Sequence, residues 1–137
     1  MNDKYISKSI NDTIQYGKKL AQSLQGNEVI FLYGPLGAGK THFVKGLALG
    51  LGFSGNVFSP TFNILNIYDG EKNLHHFDMY RIEGLDALYG TGFFDYAGEH
   101  PVCVEWSENI DNFYTGKKIS VYISYTQNEQ EREIVIC

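Results

Sequence analysis

Hydrophobic residues recur at two spacings along this chain, and the two spacings predict alternating helices and strands. Apolar side chains at helical spacing predict a helix over residues 9–24, with Ser9 as its N-cap. The same spacing predicts a second helix over 40–49, which the glycines on either side of Leu51 would end. A short third helix is predicted over 85–89.

Runs of β-branched and aromatic residues fill much of the remaining chain and predict strands. The predicted strands are 28–33, 62–68, 74–80, 101–106, 118–125 and 132–136. A turn at Asp69-Gly70 would join the second and third of these strands into a hairpin. The segment 91–100 has no consistent period and is predicted to be a loop.

A glycine-rich motif stands between the first predicted strand and the second predicted helix. Eight residues that begin at Gly34 read GPLGAGKT and match G-x-x-x-x-G-K-[ST] in full. Gly34, Gly37 and Gly39 let backbone N–H groups wrap an anion, and the helix N-terminus adds partial positive charge. We therefore predict that a nucleoside triphosphate binds here. Lys40, expected at the surface of the loop, would reach the β- and γ-phosphates, and Thr41 would bind Mg²⁺.

The motif and the order of the elements together predict the fold. Strands and helices alternate around the glycine-rich loop, and the C-terminal half is richer in strands than strict βαβ alternation would give. We expect an α/β, P-loop NTPase-like three-layer domain with one mixed, mainly parallel β-sheet. At 137 residues, the chain is expected to form a single P-loop ATPase domain over 1–137.

A phosphate-binding loop of this kind needs an acidic partner for the metal, usually at the end of a neighbouring strand. Glu105 follows an apolar run, and Asp78 lies in the second arm of the hairpin. For each acid, a solvated or capping carboxylate is the alternative. Thr61, which follows a proline, is a candidate contact of the γ-phosphate, with an ordinary turn as the alternative. Trp106 is interpreted as a packing residue.

Net charge and cysteine content limit which cellular compartments and which binding partners are expected for the chain. A formal net charge of −5 argues against a chain that holds nucleic acid by its own phosphate contacts. No apolar run approaches a membrane span, the N-terminus lacks a signal-peptide pattern, and Cys103 and Cys137 do not form a disulfide framework. We expect a cytoplasmic protein without membrane association that is a monomer when isolated.

Two smaller clusters invite functional interpretations. His75 and His76 are adjacent, and adjacent residues on a strand point to opposite faces, so they cannot chelate one metal ion together. The aromatic residues Phe93, Phe94 and Tyr96 are interpreted as a partner-docking patch, with cover for the sheet as the alternative.

Five motifs occur in order along the chain. They are G-x-L-G-A-G-K-T from Gly34, S-P-T-[FY] from Ser59, H-F-D-x-Y-R from His76, G-x-x-[DE]-Y from Gly92 and V-E-W from Val104. Together they resemble the TsaE family, small ATPases of the bacterial machinery that makes threonylcarbamoyladenosine in tRNA. The similarity extends from the first predicted helix to the last predicted strand. The glycine-rich motif is common to many families, whereas H-F-D-x-Y-R and V-E-W at these separations are not.

The resemblance implies a function. The chain would be an Mg²⁺-dependent ATPase required to form the threonylcarbamoyl group on adenosine 37 of tRNAs that read codons beginning with A. It would act as a nucleotide-driven accessory subunit beside TsaD-type and TsaB-type proteins and would contact tRNA only indirectly. ATP would be the cofactor and ADP the product, with slow hydrolysis in the absence of the partners.

The resemblance also implies residue roles. The phosphates would be held by a run of loop and helix residues, namely Gly37, Ala38, Gly39, Lys40, Thr41 and the backbone of His42. Mg²⁺ would be bound by Thr41 and Glu105, and Asp78 would position or activate the attacking water. Ile10 and Arg132 would lie around the nucleotide. At position 42 the family commonly has a small hydroxyl residue, so no side-chain contact to phosphate is expected from His42.

Three other classes share parts of this pattern. A small P-loop kinase would clamp the phosphoryl group with arginines from a lid, but this chain has only Arg81 and Arg132 and no spare segment for a lid. A regulatory GTPase is suggested by D-x-x-G at Asp95, but no N-K-x-D motif accompanies it. A non-hydrolysing, nucleotide-binding regulatory module is the third alternative, and the two acids count against it.

Overall fold

The computed structural model describes residues 3–137 and contains one β-sheet flanked by helices. The strands are β1 (Asp3–Ser7), β2 (Val29–Tyr33), β3 (Leu65–Tyr68), β4 (Leu74–Asp78), β5 (Val102–Glu105), β6 (Ile119–Tyr125) and β7 (Arg132–Ile136). The α-helices are α1 (Ile10–Gln22), α2 (Lys40–Gly50), α3 (Leu85–Gly90) and α4 (Phe93–Tyr96), and two 3₁₀ turns cover Ser107–Asn109 and Asp111–Phe113. No helix within residues 3–137 has the length and apolar character needed to cross a bilayer.

The strand order of the sheet is β1-β7-β6-β2-β5-β4-β3. The central strand β2 is parallel to β5 and β6, and β4 is parallel to β5. Antiparallel pairs lie at the two edges, where β3 pairs with β4, β7 with β6, and β1 with β7. The prediction of an α/β fold with one mixed, mainly parallel sheet is confirmed.

Both faces of the sheet are covered, which explains why its central strands are apolar without alternation. On one face, Ile30 and Leu32 of β2 pack in a buried cluster with Phe43 of α2. On the other face, Phe31 packs in a second cluster with Phe93 of α4. Because side chains alternate along a strand, each functional residue on β4 and β5 is assigned to one of these faces by its position.

Two segments differ from the strands that the sequence predicts. The edge strand β1 was not predicted, because its residues are largely polar and exposed and carry little alternation. The hairpin strand predicted over 62–68 begins only at Leu65. The residues before it form a turn in which Ile64 has a φ of 69° and donates its N–H to the Pro60 carbonyl oxygen at 2.7 Å.

The segment 91–100, predicted to be a loop, contains the helix α4. Gly92 precedes this helix with a φ of 83°, a left-handed conformation that favours glycine. Phe93 is completely buried, so the interpretation of this cluster as a docking patch is wrong for Phe93, which instead covers the sheet. Phe94 and Tyr96 are partly buried against the same core cluster.

The backbones of α1 and α2 approach each other closely because glycines lie at their contact. Gly17 of α1 faces the backbone of α2, and Gly46 of α2 faces the backbone of α1. A Cβ atom at Gly46 would overlap the carbonyl oxygen of Ile14. Since α2 begins at the glycine-rich loop, this contact fixes the position of the helix N-terminus that follows the loop.

We predict that Gly46→Ala destabilises the protein by about 1–3 kcal/mol, because the added methyl group meets backbone atoms that cannot move independently. Gly90→Ala is the matched control, since Gly90 is also helical and its Cβ would have no neighbour within 4 Å. Urea unfolding of both variants provides the measurement. Equal stabilities for the two variants would contradict the proposed role of the α1–α2 contact.

Candidate nucleotide site

The loop between β2 and α2 is shaped by glycines in left-handed conformations. Gly37 has a φ of 79° and Gly39 a φ of 110°, values that residues with a Cβ rarely adopt. Gly39 is also the N-cap of α2, and no side chain caps this helix end. The first N–H groups of α2 therefore have no partner within the helix and point toward the loop. This arrangement has the geometry of the anion-binding concavity that the sequence motif predicts.

Lys40 lies across this loop rather than at its surface. Its Nζ donates a hydrogen bond to the Gly34 carbonyl oxygen at 2.7 Å and lies 5.5 Å from the centre of the Trp106 ring. The residue is 9% exposed, so the expectation that it stands at the loop surface is wrong. Trp106 reaches it with a left-handed backbone, φ 59° and ψ 42°, directly after β5. Trp106 packs against the second core cluster, as predicted, and it also lies beside the candidate phosphate-binding lysine.

Two carboxylates lie at the edge of the sheet where the glycine-rich loop emerges. Asp78 ends β4, Glu105 ends β5, and the two residues are paired in the register of these parallel strands. Both line a depression of about 300 Å³ together with Thr41 and Thr61, which we call the acidic depression. Its other lining residues are Leu36, Gly37, Gly39, Lys40, His42, Ser59 and Trp106.

Asp78 is nearly buried and is oriented by three donors. Its Oδ2 accepts hydrogen bonds from the Ser59 hydroxyl at 3.3 Å and the Thr61 hydroxyl at 3.2 Å. Its Oδ1 accepts the N–H of Tyr80 at 2.9 Å. The loop that carries Ser59 and Thr61 is therefore attached to this acid.

Glu105 is oriented from the opposite side by a buried histidine. Its Oε2 lies 2.6 Å from His76 Nε2, and within residues 3–137 its Oε1 makes no hydrogen bond to protein. Glu105, Asp78 and Thr41 line one depression, and oxygen donors of the kind that their side chains carry suit Mg²⁺ rather than a softer metal. The residues present therefore fit the predicted ion.

A second depression of about 280 Å³ lies on the other side of the glycine-rich loop. We call it the Arg132 depression; it brings Ile10, at the start of α1, together with Arg132, at the start of β7. Its other lining residues are Ser9, Thr13, Gly37, Ala38, Gly39, His42, Glu129 and Gln130. The guanidinium of Arg132 lies 4.8 Å from the centre of the Tyr125 ring and donates to the carbonyl oxygens of Glu129 and Glu131, each at 2.8 Å.

The two depressions share Gly37, Gly39 and His42. They thus bring together all the site residues predicted from the sequence except Gly34, which lines neither. Gly34 instead has a structural role. Its carbonyl oxygen accepts the hydrogen bond from Lys40, and a Cβ atom at position 34 would overlap the Ile123 carbonyl oxygen.

Several lining residues were absent from the predicted site. Ser59 is the first residue of the S-P-T motif, and Trp106 ends V-E-W, so both carried a sequence signal. Glu129 and Gln130 carried none, because they lie in the turn between β6 and β7 and reach the site only through the path of that turn.

The fold and the loop together define a class. A central strand that leads through a glycine-rich loop into a helix, with acids at the ends of neighbouring parallel strands, is the P-loop NTPase-like arrangement. Within this class, the family model described as "Threonylcarbamoyl adenosine biosynthesis protein TsaE" matches residues 7–134. The chain belongs to the TsaE family.

Individual relatives agree with this assignment. The tRNA threonylcarbamoyladenosine biosynthesis protein TsaE of Treponema pallidum is 42% identical over 106 residues, covering 77% of this chain and 78% of the relative. The protein of the same name from Rickettsia prowazekii is 37% identical over 124 residues, covering 89% of this chain and 86% of the relative. Among solved structures, Bacillus subtilis YdiB superposes with a TM-score of 0.81 at 33% identity, covering 99% of this chain and 84% of that chain.

A larger depression of about 640 Å³ lies at the opposite edge of the sheet, where β2 and β6 begin. In α/β sheets, ligands bind at the carboxyl ends of the strands, which argues against this depression as a ligand site. Its acid, Glu28, is already engaged, because it accepts the N–H groups of Gln25, Gly26 and Asn27 at 2.8, 2.9 and 3.0 Å. Partial burial raises the pKa of Glu28, but these N–H groups outweigh burial and lower it overall.

We predict that Glu28→Gln destabilises the protein at neutral pH. A carboxyl group whose pKa is lowered by folding stabilises the folded state above its unfolded pKa and loses this effect as the pH falls through the folded pKa. The stability difference between parent and variant should therefore be full at pH 7 and shrink below about pH 4.5. Urea unfolding across this range provides the measurement, and a difference independent of pH would contradict the assignment.

Proposed function

We propose that this chain is an Mg²⁺-dependent ATPase that supports formation of threonylcarbamoyladenosine at position 37 of tRNAs reading codons that begin with A. The observation that carries the proposal is the acidic depression, which Asp78 and Glu105 line together with Thr41 beside the glycine-rich loop. A loop that only bound nucleotide would not need two nearly buried carboxylates at adjacent strand ends. Family membership supports the tRNA pathway.

The loop residues would bind and neutralise the phosphates of ATP. The open N–H groups at the start of α2 would donate to phosphate oxygens, and Lys40 would exchange the Gly34 carbonyl for a phosphate oxygen. Thr41 and Glu105 would hold Mg²⁺. When bound, Mg²⁺ would neutralise charge that develops on the phosphate oxygens.

Asp78 would position the attacking water and accept its proton. Its carboxylate is nearly buried, and its orientation is already set by the Tyr80 N–H. Ser59 and Thr61 now donate to the oxygen that the water would need. Rearrangement of these two hydroxyls, with Thr61 turning toward the γ-phosphate, would therefore accompany catalysis.

The remaining ligand contacts would come from the Arg132 depression. Ile10 offers an exposed apolar surface, and Arg132 is held in place by its two carbonyl contacts and the Tyr125 ring. These two residues would flank the nucleoside.

Partners would complete the function. A net charge of −5 disfavours direct tRNA binding, so tRNA would be held by TsaD-type and TsaB-type proteins, and the present chain would act as their nucleotide-driven accessory subunit. Turnover by the isolated monomer would be slow. A cytoplasmic location would follow from this role.

A small P-loop kinase is the main alternative, and the positions of the arginines argue against it. Arg81 lies over the Phe62 ring at 5.9 Å, and Arg132 is engaged by backbone carbonyls on the far side of the loop. Neither arginine lines the acidic depression, so no clamp for a transferred phosphoryl group is formed there. Formation of a phosphorylated small molecule during ATP turnover would favour the kinase.

Lys40→Ala should weaken ATP and ADP binding by about 10- to 100-fold, the loss expected for a charge-assisted hydrogen bond to phosphate. Lys45→Ala is the matched control, because Lys45 lies on the same helix but is exposed and lines neither depression. Isothermal titration calorimetry gives both affinities. Equal affinities for the two variants would remove the basis of the proposal.

Asp78→Asn should reduce ATP turnover, measured with the partner proteins present, by at least about 100-fold, because a general base is lost. The affinity for ATP should remain within about threefold of the parent, since Asp78 is not assigned to ground-state binding. Phosphate release and calorimetry on the same preparation separate the two effects. Parental turnover in Asp78→Asn would exclude this residue as the base.

A further inference from the structure

Behind the acidic depression, a buried chain of hydrogen bonds connects Glu105 to the loop that carries Ser59 and Thr61. The side chain of His76 is completely buried, with Nε2 2.6 Å from Glu105 Oε2 and Nδ1 2.9 Å from the Tyr68 hydroxyl. The Tyr68 hydroxyl is also 2.9 Å from the Phe58 carbonyl oxygen, so its single proton faces two acceptors, this oxygen and His76 Nδ1. Phe58 directly precedes Ser59.

We propose that His76 is a positioning residue, which holds Glu105 in the orientation needed to bind Mg²⁺ and, through Tyr68, ties that carboxylate to the loop before β3. This proposal rests on the proposed function of the acidic depression. Neither His76 nor Tyr68 lines that depression, so each would act through Glu105 or the loop and not on the nucleotide itself.

Stability alone does not explain a histidine at this position. The buried cluster on the same face of the sheet includes Leu74 and Cys103, so an apolar residue at 76 would fit these surroundings. Burying an imidazole beside a carboxylate costs desolvation free energy that their mutual attraction often fails to recover. The contact between His76 and Glu105 is therefore better explained by the carboxylate of Glu105, which is itself nearly buried and needs a hydrogen-bond donor.

The hydrogen bond divides the two carboxylate oxygens between two tasks. An ionised carboxylate only accepts hydrogen bonds, so His76 donates from Nε2 to Oε2. Within residues 3–137, Oε1 has no protein partner and is the oxygen left for the metal. Mg²⁺ is commonly held through one or two carboxylates together with substrate phosphates and water, whereas Ca²⁺ tolerates bidentate ligands. A histidine bonded to Oε2 thus suits a carboxylate that would offer one oxygen, Oε1, to the ion.

The loop before β3 is attached to both acids of the site. Ser59 and Thr61 bond Asp78 directly, while Phe58 is linked to Glu105 through Tyr68 and His76. A change in the orientation of Glu105 would therefore change the position of the loop that also contacts Asp78.

Two substitutions at position 76 separate the two hydrogen bonds of the ring. His76→Gln can place an amide nitrogen near the position of Nε2 and keep the donor to Glu105. His76→Asn places its amide nearer the position of Nδ1, on the Tyr68 side, and loses that donor. His75→Asn is the matched control, because His75 lies on the opposite face of the sheet, stacked on Tyr96.

The first readout is metal affinity, measured without catalysis. Mn²⁺, as a spin-active substitute for Mg²⁺, is titrated into each protein saturated with ADP, and free Mn²⁺ is followed by electron paramagnetic resonance. We expect His76→Asn to weaken Mn²⁺ binding by about 10- to 100-fold, the effect seen when a ligand loses its outer hydrogen bond. His76→Gln should recover most of the loss, and His75→Asn should match the parent.

The second readout is amide hydrogen exchange of the peptide that covers the loop before β3. Tyr68→Phe removes only the hydroxyl, and it should raise exchange in this loop as His76→Gln does, since His76→Gln loses the link to Tyr68. The double variant should exchange no faster than the faster single variant, because both substitutions break one chain. His76→Asn, whose amide stays on the Tyr68 side, should raise exchange less than His76→Gln, and the comparison holds without it should His76→Asn fail to fold.

The outcomes separate this proposal from the one on which it rests. Unchanged Mn²⁺ affinity in His76→Asn, with ADP still bound, would overturn the positioning role of His76 and leave the nucleotide site intact. Unaltered loop exchange in Tyr68→Phe would overturn the connection to the loop. Absence of ADP binding in the parent would instead overturn the proposed function.

Discussion

The site depends on the register of three adjacent parallel strands. β2 pairs with β5, and β5 with β4, so that the chain leaves all three strands at the same edge of the sheet. From β2 it enters the glycine-rich loop, while β4 and β5 end in Asp78 and Glu105 at paired positions. A shift of one residue in β4 or β5 would move its carboxylate to the opposite face, away from α2. The strand register therefore determines where the two carboxylates lie relative to the glycine-rich loop.

The pairing of Asp78 with Glu105 lowers the stability of the fold. Two nearly buried carboxylates at paired positions repel each other, and neither has a lysine or arginine partner among the ion pairs of residues 3–137. The structure compensates with hydrogen-bond donors, hydroxyl groups from the loop before β3 for Asp78 and a buried imidazole for Glu105. A divalent cation would neutralise the same charge more completely, which agrees with the proposed Mg²⁺ site.

Local patterns made most of this predictable from the sequence. The glycine-rich loop is a contiguous motif, and the central strands are apolar enough to show where their terminal acids lie. What escaped prediction depends on contacts between distant segments. The strand β1 is defined by pairing with β7, and the burial of Lys40 depends on the left-handed backbone of Trp106. The approach of Glu129 and Gln130 to Ile10 depends on how the turn after β6 folds.

Nucleotide bound at the glycine-rich loop is proposed to support tRNA modification. The most direct measurement is the level of threonylcarbamoyladenosine in tRNA, by mass spectrometry, from cells whose sole copy of the protein carries Thr41→Ala. Thr115→Ala is the matched control, because Thr115 is exposed and lines neither depression. We expect loss of the modified nucleoside in Thr41→Ala cells and a normal level in the control. A normal level in Thr41→Ala cells, with the variant stably expressed, would show that this role of the loop is wrong.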